Sequence, residues 1–230
     1  MGVQAPGPAR VHAACARSAG PVHCRPLPAS DTALRVGRAA ATTAHGGACG
    51  TPQRASGEHA LMFLDTARFA FVATLAAHWR TVLAECDALP DHEYADWPET
   101  GLYNHGWDVY GLYLGGNALL ENCIFCPATA ALLKGVPGLR TAGFSRLAPG
   151  TVIAAHVGYS DQVLRLHLAL RAHGDCGLRV GGQTRRWTPG QCLLFDDTTE
   201  HDAWNRGPQE RIVLLVDFVR PPQERHDARR

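Results

Sequence analysis

Hydrophobic positions along the chain follow two different rhythms. From Met62 onwards, Leu64, Phe71, Val72, Leu75, Trp79, Val82 and Leu83 recur at helical spacing, which predicts an amphipathic helix ending near Leu89-Pro90. An aromatic stretch follows between Trp97 and Leu114, with Trp107, Tyr110 and Tyr113 inside it. Phe125-Cys126-Pro127 then opens a short helix, since proline suits a first turn and Gly135 lies beyond the far end. Residues 58–139 therefore read as helical support for a core that comes later in the chain.

From about Gly143 to Pro222 the period becomes two. Leu164, Leu166, Leu168 and Leu170 share one side of a predicted strand, and Val163, Arg165, His167 and Ala169 the other. The run from Arg211 to Phe218 repeats the pattern: Ile212, Leu214, Val216 and Phe218 oppose Arg211, Val213, Leu215 and Asp217. Gly181-Gly182, Pro189-Gly190 and Asn205 to Pro208 punctuate the region as turns. Short strands with regular turns and no intervening helices predict a mainly β fold, a sandwich or jelly-roll barrel, in residues 140–222.

Residues 1–57 lack this patterning. They are rich in Ala, Gly, Pro and Arg, with Asp31 as the one acid. Such a stretch buries too little apolar surface to offset its ordering entropy. A disordered tail, a targeting segment or sequence upstream of a true start near Met62 are the competing readings; the absence of an amphipathic helix makes targeting the weakest. Residues 223–230 read as a solvated tail.

Composition narrows the classes further. The 230 residues are 46% apolar, as expected for one domain with a core plus some extra. A formal net charge of +1 gives no global attraction to nucleic acid or an anionic membrane. No run of apolar residues is long enough for a transmembrane helix. The scattered Cys15, Cys24, Cys49, Cys86, Cys123, Cys126, Cys176 and Cys192, with no signal peptide ahead of them, favour free thiols in a reducing cytoplasm over a disulfide framework. Cys123 and Cys126 form a lone CxxC, better read as buried thiols than as a metal or redox pair.

Candidate chemistry begins with charged residues on apolar strands. Arg165, His167, Arg211 and Asp217 sit on the polar sides of the two clearest strands, facing either solvent or a cavity. The strand Cys192 to Phe195 runs into Asp196 and Asp197, then His201 and Trp204. His156 ends a strand that starts at Thr151. Two strand-end histidines permit a metal without choosing one, because imidazole suits iron, copper, zinc and nickel.

Taken together, Ser145, Ala148-Pro149-Gly150, His156, Arg165-Leu166-His167, Gly190, Phe195-Asp196-Asp197, His201, Trp204 and Arg211 resemble the catalytic domain of aspartyl/asparaginyl β-hydroxylases, over roughly Pro127 to Pro222. The resemblance implies a double-stranded β-helix and an iron(II)- and 2-oxoglutarate-dependent dioxygenase that consumes oxygen, with ascorbate as the reductant in vitro. It assigns His156 and His201 as iron ligands. Most such oxygenases add a carboxylate two residues after the first histidine. This chain has Gly158 there; the resembled family is the exception that lacks this carboxylate, with water taking its place, and Asp197 would belong to the surrounding shell. Arg211 and Ser145 would hold the distal carboxylate of 2-oxoglutarate. Arg165 and His167 would lie at its metal end or at a substrate carboxylate. Val163 stands where the family has another basic residue, which bears on the substrate more than on the chemistry.

The implied substrate is an aspartyl or asparaginyl side chain of an amino acid, a peptide or a carrier-bound molecule. The same chemistry on a lipid acyl chain, or a non-catalytic cupin-like sensor of carboxylate or metal, are the alternatives. No nucleic-acid partner is expected.

Overall fold

The computed structural model describes residues 62–222; the extension 1–57 and the tail 223–230 of the sequence reading lie outside the described residues. Eight strands follow one another from residue 139: β4 (Leu139–Leu147), β5 (Thr151–His156), β6 (Val163–Arg171), β7 (Cys176–Val180), β8 (Gln183–Arg185), β9 (Cys192–Phe195), β10 (His201–Asn205) and β11 (Arg211–Val219). Three precede them: β1 (Ala95–Asp96), β2 (Trp107–Leu114) and β3 (Asn117–Ala118). The larger sheet runs β1-β2-β4-β11-β6-β9, with β3 on β2; the smaller runs β5-β10-β7-β8. All pairings are antiparallel.

The chain winds this into a jelly roll by changing sheets at nearly every turn. β4 lies in the larger sheet, β5 in the smaller, β6 in the larger, β7 and β8 in the smaller, and so on to β11. The period-two segments thereby acquire two buried faces. Leu164, Leu166, Leu168 and Leu170 join Ile212, Leu214, Val216 and Phe218 in a core beneath the helices α1 (Ala70–Ala77), α2 (Trp79–Asp87), α3 (Leu120–Cys123) and α4 (Pro127–Leu133). The opposite face meets the smaller sheet around Phe63, Leu178, Val180, Phe195, Val213 and Leu215. Arg165, His167, Arg211 and Asp217 belong to this inner face. The charges on the two strands therefore point into the barrel, not to solvent.

Two expectations for the support region need correction. The helix predicted from Leu64 to Leu89 is two helices, α1 and α2, broken at His78, whose φ of −104° and ψ of 13° leave helical geometry. Leu64 precedes both: its N–H donates to the Leu194 carbonyl (2.8 Å), so the chain first runs beside β9. The aromatic stretch is also not helical packing. Trp107–Leu114 forms β2, an integral strand of the larger sheet. A register shift between Gly111 and Tyr113 brings Tyr110, Leu112 and Tyr113 all into the core. This bulge destroyed the alternation that would have identified a strand. The short helix at Pro127 is present as α4, with the Glu85 carboxylate accepting from the N–H groups of Ala128 and Thr129, both at 2.8 Å. Among the described residues no helix is long and apolar enough to cross a membrane.

Candidate active site

Histidines 156 and 201 face each other across β5 and β10 as register partners, with ring centroids 4.2 Å apart. Strict alternation from Thr151 and Ile153 would turn His156 outwards. The pairing instead shifts between His201 and Ala203, placing one extra residue on β5 before His156. The bulge re-aims the histidine inwards, beside His201. Each Nδ1 contacts a backbone carbonyl: His156 that of Ala154 at 2.8 Å, His201 that of Thr199 at 2.9 Å. A carbonyl can only accept, so Nδ1 carries the proton in both rings and Nε2 is left with a lone pair. Burial lowers both pKa values, and the facing His156 helps to push His201 down to about 3. Both rings are therefore neutral donors near pH 7.

Gly158 lies beside this pair. Its N–H donates to the Asp197 carbonyl at 2.7 Å, and a Cβ built on it would lie 2.4 Å from Asp197 Cγ and Oδ2. The carboxyl group of Asp197, from the segment after β9, thus fills the space that a side chain at 158 would occupy. Burial pushes this carboxyl up to about 6 against the pull of Arg165. Its Oδ2 is 3.3 Å from Arg165 Nη2, and its Oδ1 is buried with no protein partner.

Arg165 faces Asp217 across β6 and β11. Its Nε and Nη2 donate to the two oxygens of Asp217, each at 2.8 Å, a bidentate pair. Together with Asp197, the guanidinium is held between two carboxylates.

Deeper in the barrel, Arg211 is only 2% exposed. Its Nη1 makes a long contact of 3.4 Å to the Ser145 carbonyl, its Cζ lies 4.6 Å from the centre of the Trp187 ring, and its Nε has no partner. Burial drives its pKa down to about 9, the mark of a cation without an anion. Ser145 Oγ accepts from Trp107 Nε1 at 3.1 Å, leaving its hydroxyl hydrogen for another acceptor. His167 is buried against Trp187 and Phe195, with both ring nitrogens unpartnered. Burial and the charge of Arg211 keep it neutral.

These unpartnered groups test whether a ligand fits. A buried donor or acceptor left unsatisfied costs about 1–3 kcal/mol. His167 Nδ1 and Nε2, Arg211 Nε, Trp187 Nε1 and Asp197 Oδ1 all carry that cost inside one barrel. Their chemistry suits a metal at the two Nε2 atoms and a carboxylate-bearing molecule reaching Arg211. Among the described residues no cluster of three or more His, Cys, Asp or Glu side chains could hold a metal, so the histidines stand as a pair. A groove of about 470 Å³ lies outside the barrel, near Phe69, Phe71 and Pro221, and shares none of these groups.

The structure brings Ser145, His156, Arg165, His167, Asp197, His201 and Arg211 into the same barrel. Sequence reasoning missed two functional neighbours. Trp187 lies in the loop after β8, where no periodicity marks it. Asp217 was noted on a polar face, but its pairing with Arg165 depends on cross-strand register. The lone CxxC is buried: Cys123 and Cys126 are free thiols, 8% and 0% exposed.

Comparison with known proteins adds to this geometry. A family model described as aspartyl/asparaginyl beta-hydroxylase matches residues 76–221. The chain is 42% identical over 118 residues to an ornithine lipid ester-linked acyl 2-hydroxylase of Rhizobium tropici, covering 50% of this chain and 42% of that protein. It is 34% identical over 171 residues to aspartate beta-hydroxylase domain-containing protein 2 of Xenopus tropicalis, covering 65% of this chain and 44% of that protein. It thus spans less than half the length of these curated relatives. A prolyl-4-hydroxylase structure from Pseudomonas putida aligns with a TM-score of 0.39 and 19% identity, covering 66% of this chain and 87% of that one.

Proposed function

Because the chain belongs to the aspartyl/asparaginyl β-hydroxylase family, we propose that it is a hydroxylase dependent on iron(II), 2-oxoglutarate and oxygen. One observation carries the reading. Two register-matched histidines with free Nε2 atoms share a barrel with a buried arginine that has no carboxylate partner. Bound iron would supply oxygen activation, with 2-oxoglutarate oxidised to succinate and carbon dioxide while a carbon–hydrogen bond becomes a carbon–hydroxyl bond.

The protein's part is to hold and orient. His156 and His201 would hold the metal, each ring fixed by its Nδ1–H to a carbonyl. Arg211 would grip the distal carboxylate of 2-oxoglutarate, and the Ser145 hydroxyl would donate to it. His167, whose nitrogens lack protein partners, would donate to the other end of the cosubstrate. Asp197, whose carboxyl group fills the space beside Gly158, would accept from a water on the metal side through its unpartnered Oδ1. Trp187 and Phe195 pack on this interior and limit bulk water.

The expected substrate is an aspartyl or asparaginyl side chain, free, peptidic or carrier-bound. A lipid acyl chain is the second reading. It is favoured by the similarity to an ornithine lipid acyl hydroxylase and by the engagement of Arg165 with Asp217. The direct test is to incubate the protein with iron(II), ascorbate and 2-oxoglutarate and to measure succinate with and without each substrate class. Succinate that requires His201 supports the proposal. Absence of turnover together with absence of metal-dependent 2-oxoglutarate binding refutes it and leaves the cupin-like sensor.

A further inference from the structure

The helical layer outside the barrel carries an apolar face that the core does not use. Leu120, Ile124 and Phe125 are 70%, 69% and 53% exposed, more than any other large hydrophobic side chain among the described residues. All three come from α3 and the residues that end it, and Leu120 and Ile124 stand one turn apart on one side. The other side is fixed to the sheet: Asn122 Nδ2 donates to the Gly111 carbonyl at 2.8 Å, and Cys123 Sγ to the Leu112 carbonyl at 3.3 Å. A helical turn anchored in this way ordinarily shows water its polar residues. Apart from Glu121, this one shows leucine, isoleucine and phenylalanine. Two cations flank the face. Lys134 ends α4, close enough for its charge to act on Cys123. Arg140 stands beside the β2–β3 turn: its carbonyl accepts from the Gly116 N–H at 2.7 Å, and its Nη1 lies 3.8 Å from where a Cβ on Gly116 would be. Both are exposed, and among the described residues neither pairs with a carboxylate. Exposed Arg186 and Arg206, by contrast, both reach Asp175.

Strand register ties this surface to the site. Asp217 faces Thr141 on β4 and Arg165 on β6, and Tyr113 on β2 faces Ala142. Arg140 and the β2–β3 turn therefore lie at the metal end of the larger sheet. We infer that this face docks on an anionic lipid bilayer, with Leu120, Ile124 and Phe125 entering the boundary between headgroups and acyl chains and Lys134 and Arg140 meeting lipid phosphates. Apolar side chains beside unpaired cations are the chemistry of interfacial membrane binding. The chain's net charge of +1 makes the attraction local to these two cations. Three side chains on one turn cover far less than the roughly 800 Å² per partner of a stable protein interface, whereas insertion into a bilayer sets no such minimum. Docking places the metal end of the sheet beside the lipid, the approach that the acyl-chain reading of the substrate needs. The docking itself requires neither metal nor cosubstrate.

The test is co-sedimentation of the full chain with two kinds of vesicle, phosphatidylcholine alone and equal parts phosphatidylcholine and phosphatidylglycerol. The wild type should bind the mixed vesicles better. The triple variant Leu120→Ser, Ile124→Ser, Phe125→Ser should lose roughly a hundredfold in partitioning to them, the scale of three apolar side chains returned to water. Lys134→Gln and Arg140→Gln should each lose about fivefold on the mixed vesicles and nothing on phosphatidylcholine alone. These side chains are exposed, so every variant should keep the wild-type melting temperature and the wild-type affinity for 2-oxoglutarate with Mn(II). A wild type that ignores mixed vesicles overturns the inference, as it would if residues 1–61 or a second copy of the chain covered the face. Vesicle binding that survives the triple substitution also overturns it, and so does binding that is indifferent to both cations. Failure to bind 2-oxoglutarate with Mn(II) is a separate result, which removes the oxygenase reading and leaves the docking measurement standing.

Discussion

Replacing Arg211 with methionine should have opposite effects on stability and on ligand binding. The guanidinium is fully inside the barrel with an orphaned Nε and no carboxylate. Its pKa of about 9 lies below the ordinary 12.5, and a depression of that size corresponds to roughly 5 kcal/mol against the charged form as an upper bound. A base with a lowered folded-state pKa destabilises the fold in full below the folded value. The cost is relieved only as pH rises from about 9 towards 12.5, so it is present at pH 7. Exchanging an uncompensated buried ion for an apolar side chain of similar length typically gains about 1–4 kcal/mol. At about 2–4 °C per kcal/mol for a domain of this size, the ligand-free Arg211→Met protein should melt several degrees above wild type. The ligand-induced shift should move the other way. At a 2-oxoglutarate concentration about 100 times Kd, with Mn(II) present, binding stabilises the wild type by about 2.7 kcal/mol. Losing a bidentate charge-assisted contact costs roughly 1.5–3 kcal/mol, which shrinks that shift to a degree or two. Thermal denaturation with and without 2-oxoglutarate measures both effects. A variant that melts lower without ligand yet keeps the full 2-oxoglutarate shift would refute both the unpaired-charge argument and the assignment of Arg211.

Other outcomes follow from the same geometry. Gly158→Ala places a Cβ 2.4 Å from the Asp197 carboxyl group, so Asp197 must retreat; succinate production should fall about tenfold or more, with a loss of at most about 1–3 kcal/mol in stability from overpacking. Gly143→Ala drives a Cβ to 2.5 Å from the Tyr110 carbonyl oxygen, and because backbone cannot yield as a side chain does, denaturant titration should show a cost of about 1–3 kcal/mol or more. Asn205 is wholly buried, donates to the Leu147 and Gln209 carbonyls and accepts from the Gly207 N–H; Asn205→Ala should cost roughly 2–4 kcal/mol through the groups it orphans. Metal-free protein should lose stability on acidification below about pH 6.5. His156, His167 and His201 have lowered pKa values and so bind protons more weakly folded than unfolded, while Asp197, raised to about 6, opposes them. The net slope should be roughly 1–3 kcal/mol per pH unit, and a flat profile between pH 6.5 and 5 would contradict the burial of these rings.

Much of the barrel was legible because its two longest strands alternate without interruption. The Leu164 and Ile212 sets are apolar, and the opposite sides mix apolar with charged residues, so strand identity and a shared polar face follow from period alone. Whether that face met solvent or cavity was not legible, since the answer depends on a second sheet assembled from β5, β7, β8 and β10. β2 escaped because a bulge at Gly111–Tyr113 broke its alternation. The same device helped conceal why His156 points inwards. The histidine pair itself came from a multi-residue resemblance and not from spacing, because residues 156 and 201 meet only through antiparallel register. Asp217 and Trp187 were unreadable as site residues for the same reason: their partners are on other strands or loops.

The central claim concerns metal and cosubstrate held together by the two histidines and Arg211. Anaerobic addition of iron(II) and then 2-oxoglutarate, followed by visible absorption, tests it before any substrate is known. The wild-type protein should develop a charge-transfer band that needs both additions and is lost in His156→Ala and His201→Ala. In Arg211→Met the band should appear only at much higher 2-oxoglutarate concentration. A wild-type protein that gives no band, or one whose band survives removal of both histidines, would contradict the account.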